Sequence, residues 1–209
     1  YKEKLLKIKK YLNKNNSDFI FITAPENVAW LLNIRGFDNP NSPIPNCNLL
    51  IDKKSNPYLI CEKKKAKKII LEKKIRKKQV IEFKNFEKLI EDLKGSKIII
   101  DYKTCSLFFE NILKKKFKIL KKEDPIYLFK SIKSNKEIKN MISSHIIDGA
   151  ALTKFLYWMK IKNRKKITEY EAQKKLEYFR KKNKKYLYPS FNTIAGTGSN
   201  GAIVHYRAT

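Results

Sequence analysis

Short apolar runs alternate with helical patterns over the first 124 residues, and this alternation constrains the fold more than any other feature. The runs predicted as strands are 19–23, 48–52, 57–61, 79–83, 97–101 and 117–120. Helices are predicted at 2–13, from Pro25 to just before Gly36, at about 62–74, at 86–94 and at 106–116. Strands that alternate with helices are typical of an α/β sheet. The sequence therefore predicts an α/β domain over residues 1–125.

The pattern changes after Pro125, where long helices replace the alternation. Residues 134–137 (Ser-Asn-Lys-Glu) and 168–171 (Thr-Glu-Tyr-Glu) are capping boxes, each of which predicts the start of a helix. Two β-type runs follow at Ser190–Ala195 and Ala202–Tyr206, on either side of a glycine-rich segment. We therefore predict that a second domain begins at residue 126 and extends to the end of the chain at residue 209.

The glycine-rich segment at 196–201 superficially resembles a phosphate-binding loop. Such a loop needs a following helix, whose N-terminal N–H groups and dipole hold the phosphate. The residues that follow, Ala-Ile-Val-His-Tyr, are strand-like instead, and no Lys-Ser or Lys-Thr pair is present there. The segment is therefore interpreted as a tight connection between two strands.

The formal net charge of +28, from 48 basic and 20 acidic residues, would attract nucleic acid or an anionic membrane. However, 43 of the basic residues are Lys and only five are Arg, which sequence-reading proteins use for bidentate contacts. The lysines are also spread along the whole chain, which favours a solvated lysine surface. We therefore expect no specific nucleic-acid partner, with salt-sensitive nucleic-acid binding left as a competing hypothesis.

Apolar runs and cysteines bear on the location of the protein. No stretch approaches the roughly 18 apolar residues that a membrane helix needs, so no membrane partner is expected. The three cysteines, Cys47, Cys61 and Cys105, are scattered and form no Cys-x-x-Cys pair. This favours a reduced, cytoplasmic protein in which the cysteines are small core residues.

The two histidines are the remaining candidates for chemistry. His145 lies beside the apolar face of the long helix, which favours a buried, hydrogen-bonded role. His205 lies in a predicted strand whose neighbours Val204 and Tyr206 point to the opposite face, so it is free to face a cleft. No Cys or His cluster has metal-ligand spacing, and the residues alone therefore predict no metal site.

Three segments, taken together, resemble a known family. Residues 29–36 (Ala-Trp-Leu-Leu-Asn-Ile-Arg-Gly), followed by Asp38 and Pro43, form the first segment. Residues 130–138 (Lys-Ser-Ile-Lys-Ser-Asn-Lys-Glu-Ile), followed by 145–151 (His-Ile-Ile-Asp-Gly-Ala-Ala), form the second. The third comprises 168–169 (Thr-Glu), 190–196 (Ser-Phe-Asn-Thr-Ile-Ala-Gly) and 200–206 (Asn-Gly-Ala-Ile-Val-His-Tyr). In this order and spacing they resemble the larger aminopeptidase P enzymes.

The resemblance implies a creatinase-like α/β domain at 1–125 and the first part of an α+β pita-bread metallopeptidase domain at 126–209. It implies a cytosolic metallo-aminopeptidase that removes the N-terminal residue from peptides with proline in second position. Two divalent metal ions, usually manganese, are implied for the full-length parent, where they act as Lewis acids and generate the attacking hydroxide. A homodimer of the parent is a further expectation.

The resemblance also assigns site residues. His205 matches a family histidine beside the metals that binds substrate and handles protons, work that suits an imidazole near pH 7. Phe191 matches an aromatic position that lines the pocket for the substrate's first side chain. The family's metal ligands, two Asp, one His and two Glu, follow the histidine and are expected beyond Thr209. We therefore expect the fragment to bind no metal and to be inactive.

Some residues depart from the family pattern or invite misassignment. The acidic residues Glu137, Asp148 and Glu169 do not match the ligand positions of the family. Phe37 stands where Ser is frequent, and Asn41 stands where His is frequent. The competing functional hypothesis is a non-catalytic pita-bread-like module that binds a peptide or a protein, as in relatives that have lost their metal ligands.

Overall fold

The computed structural model describes residues 1–162 and 167–208 of the 209-residue chain. The chain divides into two compact units: the first is Tyr1–Ile132, and the second begins at Lys133.

The first unit is an α/β fold, as the sequence predicts. Its helices are α1 (Lys2–Lys14), α2 (Pro25–Leu32), α3 (Lys67–Leu71), α4 (Phe86–Asp92), α5 (Leu107–Lys114) and α6 (Ile126–Ser131). Its strands are β1 (Phe19–Ile22), β2 (Asn48–Asp52), β3 (Pro57–Ile60), β4 (Val80–Ile81), β5 (Lys97–Ile100) and β6 (Lys118–Lys121). The strands form one mixed sheet in the order β4-β3-β2-β1-β5-β6. The β1–β2 and β2–β3 pairs are antiparallel, and the other three pairs are parallel.

Strand β1 lies inside the sheet and is buried on both faces. Its sequence, Phe-Ile-Phe-Ile, is apolar at every position because successive side chains enter opposite layers of the core. Ile20 and Ile22 pack in one layer, which is covered by apolar side chains of α1, α2 and α6. Phe19 and Phe21 pack in the other layer, which is covered by α4 and α5. The unit is therefore a sheet between two helical layers.

Local sequence signals explain where the helices lie. Helix α1 buries Leu5, Ile8 and Leu12, whose spacing places them on one side of a helix. Helix α2 begins at Pro25, which tolerates the first helical position because it has no N–H to satisfy. It ends before Asn33, whose left-handed φ of 52° stops the helix.

Two elements near the β4 edge are shorter than predicted. The helix expected at 62–74 consists of a 3₁₀ turn at Lys63–Ala66 and the five-residue α3. The strand expected at 79–83 retains only Val80–Ile81, which pair with β3 alone. The residues on both sides of this short strand form 3₁₀ turns instead.

The carboxylate of Asp18 joins three strands at one end of the sheet. Its Oδ1 lies 2.8 Å from the Lys53 ammonium, which follows β2. Its Oδ2 accepts hydrogen bonds from the backbone N–H groups of Ser96 (2.8 Å) and Lys97 (3.2 Å) at the start of β5. These donors, with the Lys53 hydrogen bond the largest contribution, lower the pKa of Asp18 to about 2.

Among its described residues, 133–162 and 167–208, the second unit contains two α-helices, α7 (Asn135–Lys162) and α8 (Glu169–Lys181). Both predicted capping boxes are confirmed. Glu137 N–H donates to the Ser134 hydroxyl (3.3 Å), and the Glu137 carboxylate accepts from Ser134 N–H (2.8 Å). Thr168 and Glu171 make the same reciprocal pair, at 3.1 and 2.9 Å.

The two strands predicted at 190–195 and 202–206 are not formed. Residues 190–197 have no regular secondary structure, and a 3₁₀ helix covers Gly198–Ala202. A strand needs a neighbour to pair its N–H and C=O groups, and the described residues of the second unit, 133–162 and 167–208, contain no strand. Three local turns form instead, in which the N–H groups of Asn200, Ile203 and Tyr206 each donate to the carbonyl three residues earlier.

The expectation of a buried His145 is wrong. Its side chain is exposed, and its Nδ1 lies 2.8 Å from the carbonyl oxygen of Met141 one turn earlier. Apolar side chains on the same helix are also exposed: Ile138, Met141, Ile142, Ile146, Leu152 and Leu156.

Across the described residues, no helix is long and apolar enough to pass through a bilayer.

The Asp18 contacts predict a pH-dependent stability. Asp18→Asn removes the charge and should lower the unfolding free energy at pH 7 by about 1 kcal/mol, a modest value because accessible ion pairs are screened. Since the pKa of Asp18 is lowered to about 2, its contribution is present above the ordinary Asp value of about 3.9 and is lost as the pH falls towards 2. Urea unfolding of the unmodified chain and of Asp18→Asn, at pH 7 and at pH 2, measures the difference between their unfolding free energies.

The exposed Asp92 at the end of α4 provides the control. Asp92→Asn should change the free energy by less than about 0.5 kcal/mol at either pH. An Asp18→Asn deficit of the same size at both pH values would contradict the assigned role of the carboxylate.

The exposed apolar side chains of α7 predict that this chain self-associates. Apolar patches of this kind promote contacts between copies of a protein. Light scattering should give a mass that rises with concentration, and the double variant Ile142→Glu with Ile146→Glu should reduce that rise. Lys154→Glu, on the same helix, changes the charge without removing apolar surface and should have little effect. A constant monomer mass for the unmodified chain would refute this prediction.

Candidate functional site

The first motif, at 29–38, forms the end of α2 and a loop that is closed by short contacts. Gly36 N–H donates to the Pro43 carbonyl (3.0 Å), and a Cβ on Gly36 would lie 2.5 Å from Pro45 Cα. Only glycine allows this close approach of the two backbone segments. Asp38 accepts from Asn46 N–H (2.7 Å), which holds the far end of the same loop.

Asp38 also pairs with Lys65, whose ammonium lies 2.7 Å from Oδ1. This hydrogen bond is the main reason why the pKa of Asp38 is lowered, with the Asn46 N–H adding to it. The motif residues Gly36 and Asp38 therefore fix the shape of the loop at 36–46.

The second motif contains a lysine that enters a buried polar network. The Lys130 ammonium donates to the Asn27 side chain (2.6 Å), and Asn27 donates to the Asp124 carboxylate (2.7 Å). Asn27 and Asp124 are 0 % and 4 % exposed, and burial raises the pKa of Asp124. Asp124 N–H in turn donates to Asp101 (3.1 Å). Lys130 thus ties α6 to α2 within the first unit.

The acidic residues of the second motif also have partners. Glu137 caps α7, as described above. Asp148 forms a bidentate ion pair with Arg180 of α8, with N–O distances of 2.6 and 3.0 Å. The planar guanidinium matches the two carboxylate oxygens, so the pair fixes the positions of α7 and α8 within the second unit.

The third motif converges on one carboxylate, Glu169, the first residue of α8. Its Oε1 accepts from Thr197 N–H (2.5 Å), and its Oε2 accepts from the Tyr206 hydroxyl (2.6 Å) and from the Asn200 side-chain amide (3.0 Å). The Asn200 amide also lies 3.0 Å from the Tyr206 hydroxyl. Glu169 therefore holds both ends of the segment 197–206.

The electrostatics of this cluster follow from the hydrogen bonds. The Tyr206 hydroxyl, followed by the Thr197 N–H, lowers the pKa of Glu169. The same bond raises the pKa of Tyr206, because a phenolate beside a carboxylate is unfavourable. The position of Glu169 in the first turn of α8 suits a carboxylate, since helix N-termini favour negative charge.

The glycines between Thr197 and Tyr206 allow the segment 197–206 to turn tightly. Gly198 has a φ of +54°, which L side chains rarely adopt. The interpretation of 196–201 as a tight connection between two strands is wrong, because a 3₁₀ helix covers Gly198–Ala202 and neither flanking strand is formed.

His205 lies on the segment that Glu169 holds. Its side chain is exposed, and its φ of 54° places it in a turn that Tyr206 N–H closes onto the Ile203 carbonyl (3.3 Å). Phe191 is 64 % exposed. The roles of both residues remain predictions, which the geometry does not test.

A metal-binding cluster is not present among residues 1–162 and 167–208, where no three His, Cys, Asp or Glu side chains come together. The described donors therefore do not fit a pair of divalent ions, and no chemical step through a metal follows from them. What the arrangement offers is a histidine on an anchored, accessible turn.

Sequence reasoning missed the anchors Glu169, Asn200 and Tyr206 as interacting residues. All three lie in the third motif, where they served only as marks of resemblance. A usable signal existed: the capping box at Thr168 needs Glu171, which leaves the side chain of Glu169 without a role in the cap. Its partners lie about 30 residues further along the chain, and only the folded structure identifies them.

Known proteins match the chain over almost its whole length. Residues 1–137 match the family described as Creatinase/Prolidase N-terminal domain, and residues 139–209 match Metallopeptidase family M24. Xaa-Pro aminopeptidase 1 of Dictyostelium discoideum is 32 % identical over 211 residues, covering 98 % of this chain and 33 % of that protein. A probable Xaa-Pro aminopeptidase P of Paracoccidioides lutzii is 30 % identical, covering 100 % of this chain and 36 % of that protein.

The fold also matches a solved structure. X-prolyl aminopeptidase from Caenorhabditis elegans, described as a cytosolic enzyme with a di-nuclear active site, superposes with a TM-score of 0.84 at 22 % identity. The match covers 98 % of this chain and 35 % of that one. The predicted fold class, a creatinase-like α/β domain followed by part of a pita-bread domain, is confirmed. This chain spans about a third of the length of the curated relatives that it matches. Through residues 1–137 the chain belongs to the creatinase/prolidase N-terminal domain family, and its residues 139–209 match metallopeptidase family M24.

Proposed function

We propose that the chain is part of a metal-dependent aminopeptidase that removes the N-terminal residue from peptides with proline in second position. The observation that carries this proposal is the match of nearly the whole chain to proteins named Xaa-Pro aminopeptidases. The substrate would be a peptide with a free N-terminus and proline as its second residue. We assign residues 1–125 to a creatinase-like domain and 126–209 to the first part of a pita-bread domain.

His205 is the proposed catalytic and substrate-binding residue of this chain. An imidazole can accept or donate a proton, and an exposed position allows it to reach a bound peptide. Phe191 is proposed to line the pocket for the first side chain of the substrate, for which an exposed aromatic ring offers apolar contact.

Glu169 is proposed as a positioning residue for His205. The segment 197–206 has a 3₁₀ turn and a positive φ at Gly198, so it needs contacts outside itself to stay in one conformation. The three hydrogen bonds to Glu169 supply these contacts at both ends of the segment. They thereby restrict where the turn at His205 can lie.

The remaining parts of the proposal concern the whole enzyme. Two divalent ions, with manganese as the proposed element, agree with the M24 family and with the di-nuclear site described for the C. elegans enzyme. A cytoplasmic location agrees with the description of that enzyme as cytosolic. We propose that the protein has no specific nucleic-acid partner and no membrane partner. We also propose that the full-length parent forms a homodimer.

The activity proposal is tested with a full-length protein that contains this chain. With added manganese it should release the first residue of a tripeptide with proline in second position, and it should act far less on the matching tripeptide with alanine there. The 209-residue chain alone should release nothing under the same conditions. In the full-length protein, His205→Ala should lower kcat/KM by about 10²–10⁴-fold, as expected for loss of a proton-transfer group.

Absence of hydrolysis by a folded, metal-loaded full-length protein would refute the proposal. Tight binding of the proline peptide without turnover would instead support a non-catalytic peptide-binding module. Measured manganese-dependent cleavage by the 209-residue chain would contradict the expectation that this part of the protein is inactive.

The anchoring role of Glu169 is testable in the 209-residue chain itself. Glu169→Ala removes the acceptor for Thr197 N–H, and we expect that amide to exchange with deuterium at least about tenfold faster. Glu177→Ala on the same helix is the control, because Glu177 pairs with Lys181 and not with the segment 197–206. Unchanged exchange at Thr197 in the Glu169 variant would refute the anchor.

The same anchor should depend on pH. The pKa of Glu169 is lowered in the folded chain. Its contribution is therefore present above the ordinary Glu pKa of about 4.3 and is lost as the pH falls through the lowered value. Exchange at Thr197, corrected for the intrinsic pH dependence of amide exchange, should accelerate in that acidic range in the unmodified chain and stay fast throughout in Glu169→Ala.

A further inference from the structure

Cys47 and Cys61 lie opposite each other at the open end of the β2–β3 hairpin. The last ladder pair of the two antiparallel strands is Asn48↔Ile60. One residue beyond it on each strand are Cys47 and Cys61, at the end of the hairpin away from its turn at 53–56. The two cysteines are 14 positions apart in the sequence, so their approach depends on the folded hairpin.

The hydrogen-bond pattern places this pair in the closer of the two antiparallel geometries. Asp52 N–H donates to the Asn56 carbonyl (3.2 Å), so this pair is a hydrogen-bonded one. Hydrogen-bonded and non-hydrogen-bonded pairs alternate along the ladder, which makes Cys47 and Cys61 a non-hydrogen-bonded pair. Cys61 N–H confirms this, because it donates to the Ile81 carbonyl (3.0 Å) on the other side of β3.

Non-hydrogen-bonded pairs have Cα atoms about 4.5 Å apart, with their side chains closest together. A disulfide needs Cα atoms about 4.4–6.8 Å apart. The register of β2 and β3, continued by one residue, would therefore place Cys47 and Cys61 at a separation that an S–S bond requires.

Both side chains point into the same layer of the core. Cys47 and Cys61 are each 3 % exposed and pack in the layer that also contains Leu49 and Leu59. Burial is the main cause that raises the pKa of the Cys47 thiol to about 12, and the neighbouring Cys61 thiol adds to it. Cys105 packs against the opposite layer and cannot meet either of them in the folded unit.

We propose that Cys47 and Cys61 are a cross-strand dithiol that a small-molecule disulfide, such as glutathione disulfide, oxidises to an intramolecular disulfide. One thiolate attacks the small disulfide, forms a mixed disulfide and releases one thiol of glutathione. The second thiolate attacks the mixed disulfide at the protein sulfur and releases the other. The protein loses two protons and two electrons, and the small disulfide is reduced to two thiols.

Burial and the raised pKa values determine the rate of this reaction. Burial raises the pKa of Cys61 to about 11, and little thiolate is present at neutral pH for either cysteine. The attacking sulfur also has to become accessible through opening of the hairpin end. Oxidation of the folded chain should therefore be slow near pH 7 and at least about tenfold faster at pH 9, because the thiolate fraction rises with pH.

The bond would close the hairpin at the end where strand pairing stops. The loop at 36–46 leads directly into Cys47, and Lys65, which holds Asp38 of that loop, follows Cys61 by four residues. The disulfide would thus fix the two chain segments that carry the first motif's contacts. A rise of about 10 °C in the melting temperature of the first unit is expected from closing a loop of this size.

Incubation of the folded 209-residue chain with glutathione disulfide, followed by peptide mapping, tests the proposal. We expect a mass lower by two hydrogens and a peptide pair that joins Cys47 to Cys61. Cys105→Ala should form the same bond at the same rate. Cys47→Ala or Cys61→Ala should yield only a glutathione adduct.

The denatured chain is the matched control for folding. In urea the three cysteines should give mixed pairings that include Cys105, whereas the folded chain should give Cys47–Cys61 alone. A folded chain that stays fully reduced at pH 9, that accumulates only glutathione adducts, or that pairs Cys105 would overturn the proposal. Mapping of the unmodified chain decides this even if a cysteine variant fails to fold.

Discussion

Burial of β1 on both faces is the constraint on which the rest of the first unit depends. Four consecutive apolar side chains can leave water only if each face of the strand is covered. The sheet therefore needs a helical layer on either side, which α1, α2 and α6 supply for one face and α4 and α5 for the other. The hairpin of β2 and β3 extends the same two layers. Because successive side chains of a strand enter opposite layers, Cys47 and Cys61 both lie on one side of the sheet.

The three sequence motifs have structural meanings that are separate from catalysis. Gly36 and Asp38 shape a loop, Lys130 completes a buried network, and Glu169 anchors the segment that carries His205. The acidic residues Glu137, Asp148 and Glu169 all have hydrogen-bonding partners of their own within the second unit. A motif can thus mark a family through residues that hold its fold, while the chemistry depends on a few others such as the proposed His205.

The high net charge has little part in this organisation. Most lysine ion pairs lie at the surface, where such pairs contribute little to stability. A few lysines act specifically, as Lys53 does on Asp18 and Lys65 on Asp38. The proposed function accordingly rests on the family matches, and the charge of +28 enters only as background.

The sequence by itself determined the α/β character of the first unit, most of its strands, both capping boxes and the family, because these depend on local periodicity and on short motifs. It predicted strands at 190–195 and 202–206 that are absent, since a strand exists only when a neighbour pairs its backbone, and neighbours are set by tertiary structure. It also predicted a buried His145 that is exposed, because burial depends on what packs against a helix.

Only the folded chain brought Thr197, Asn200 and Tyr206 to Glu169, and Cys47 to Cys61. Contacts between residues far apart in sequence leave no local signal, and the packing of whole elements decides them.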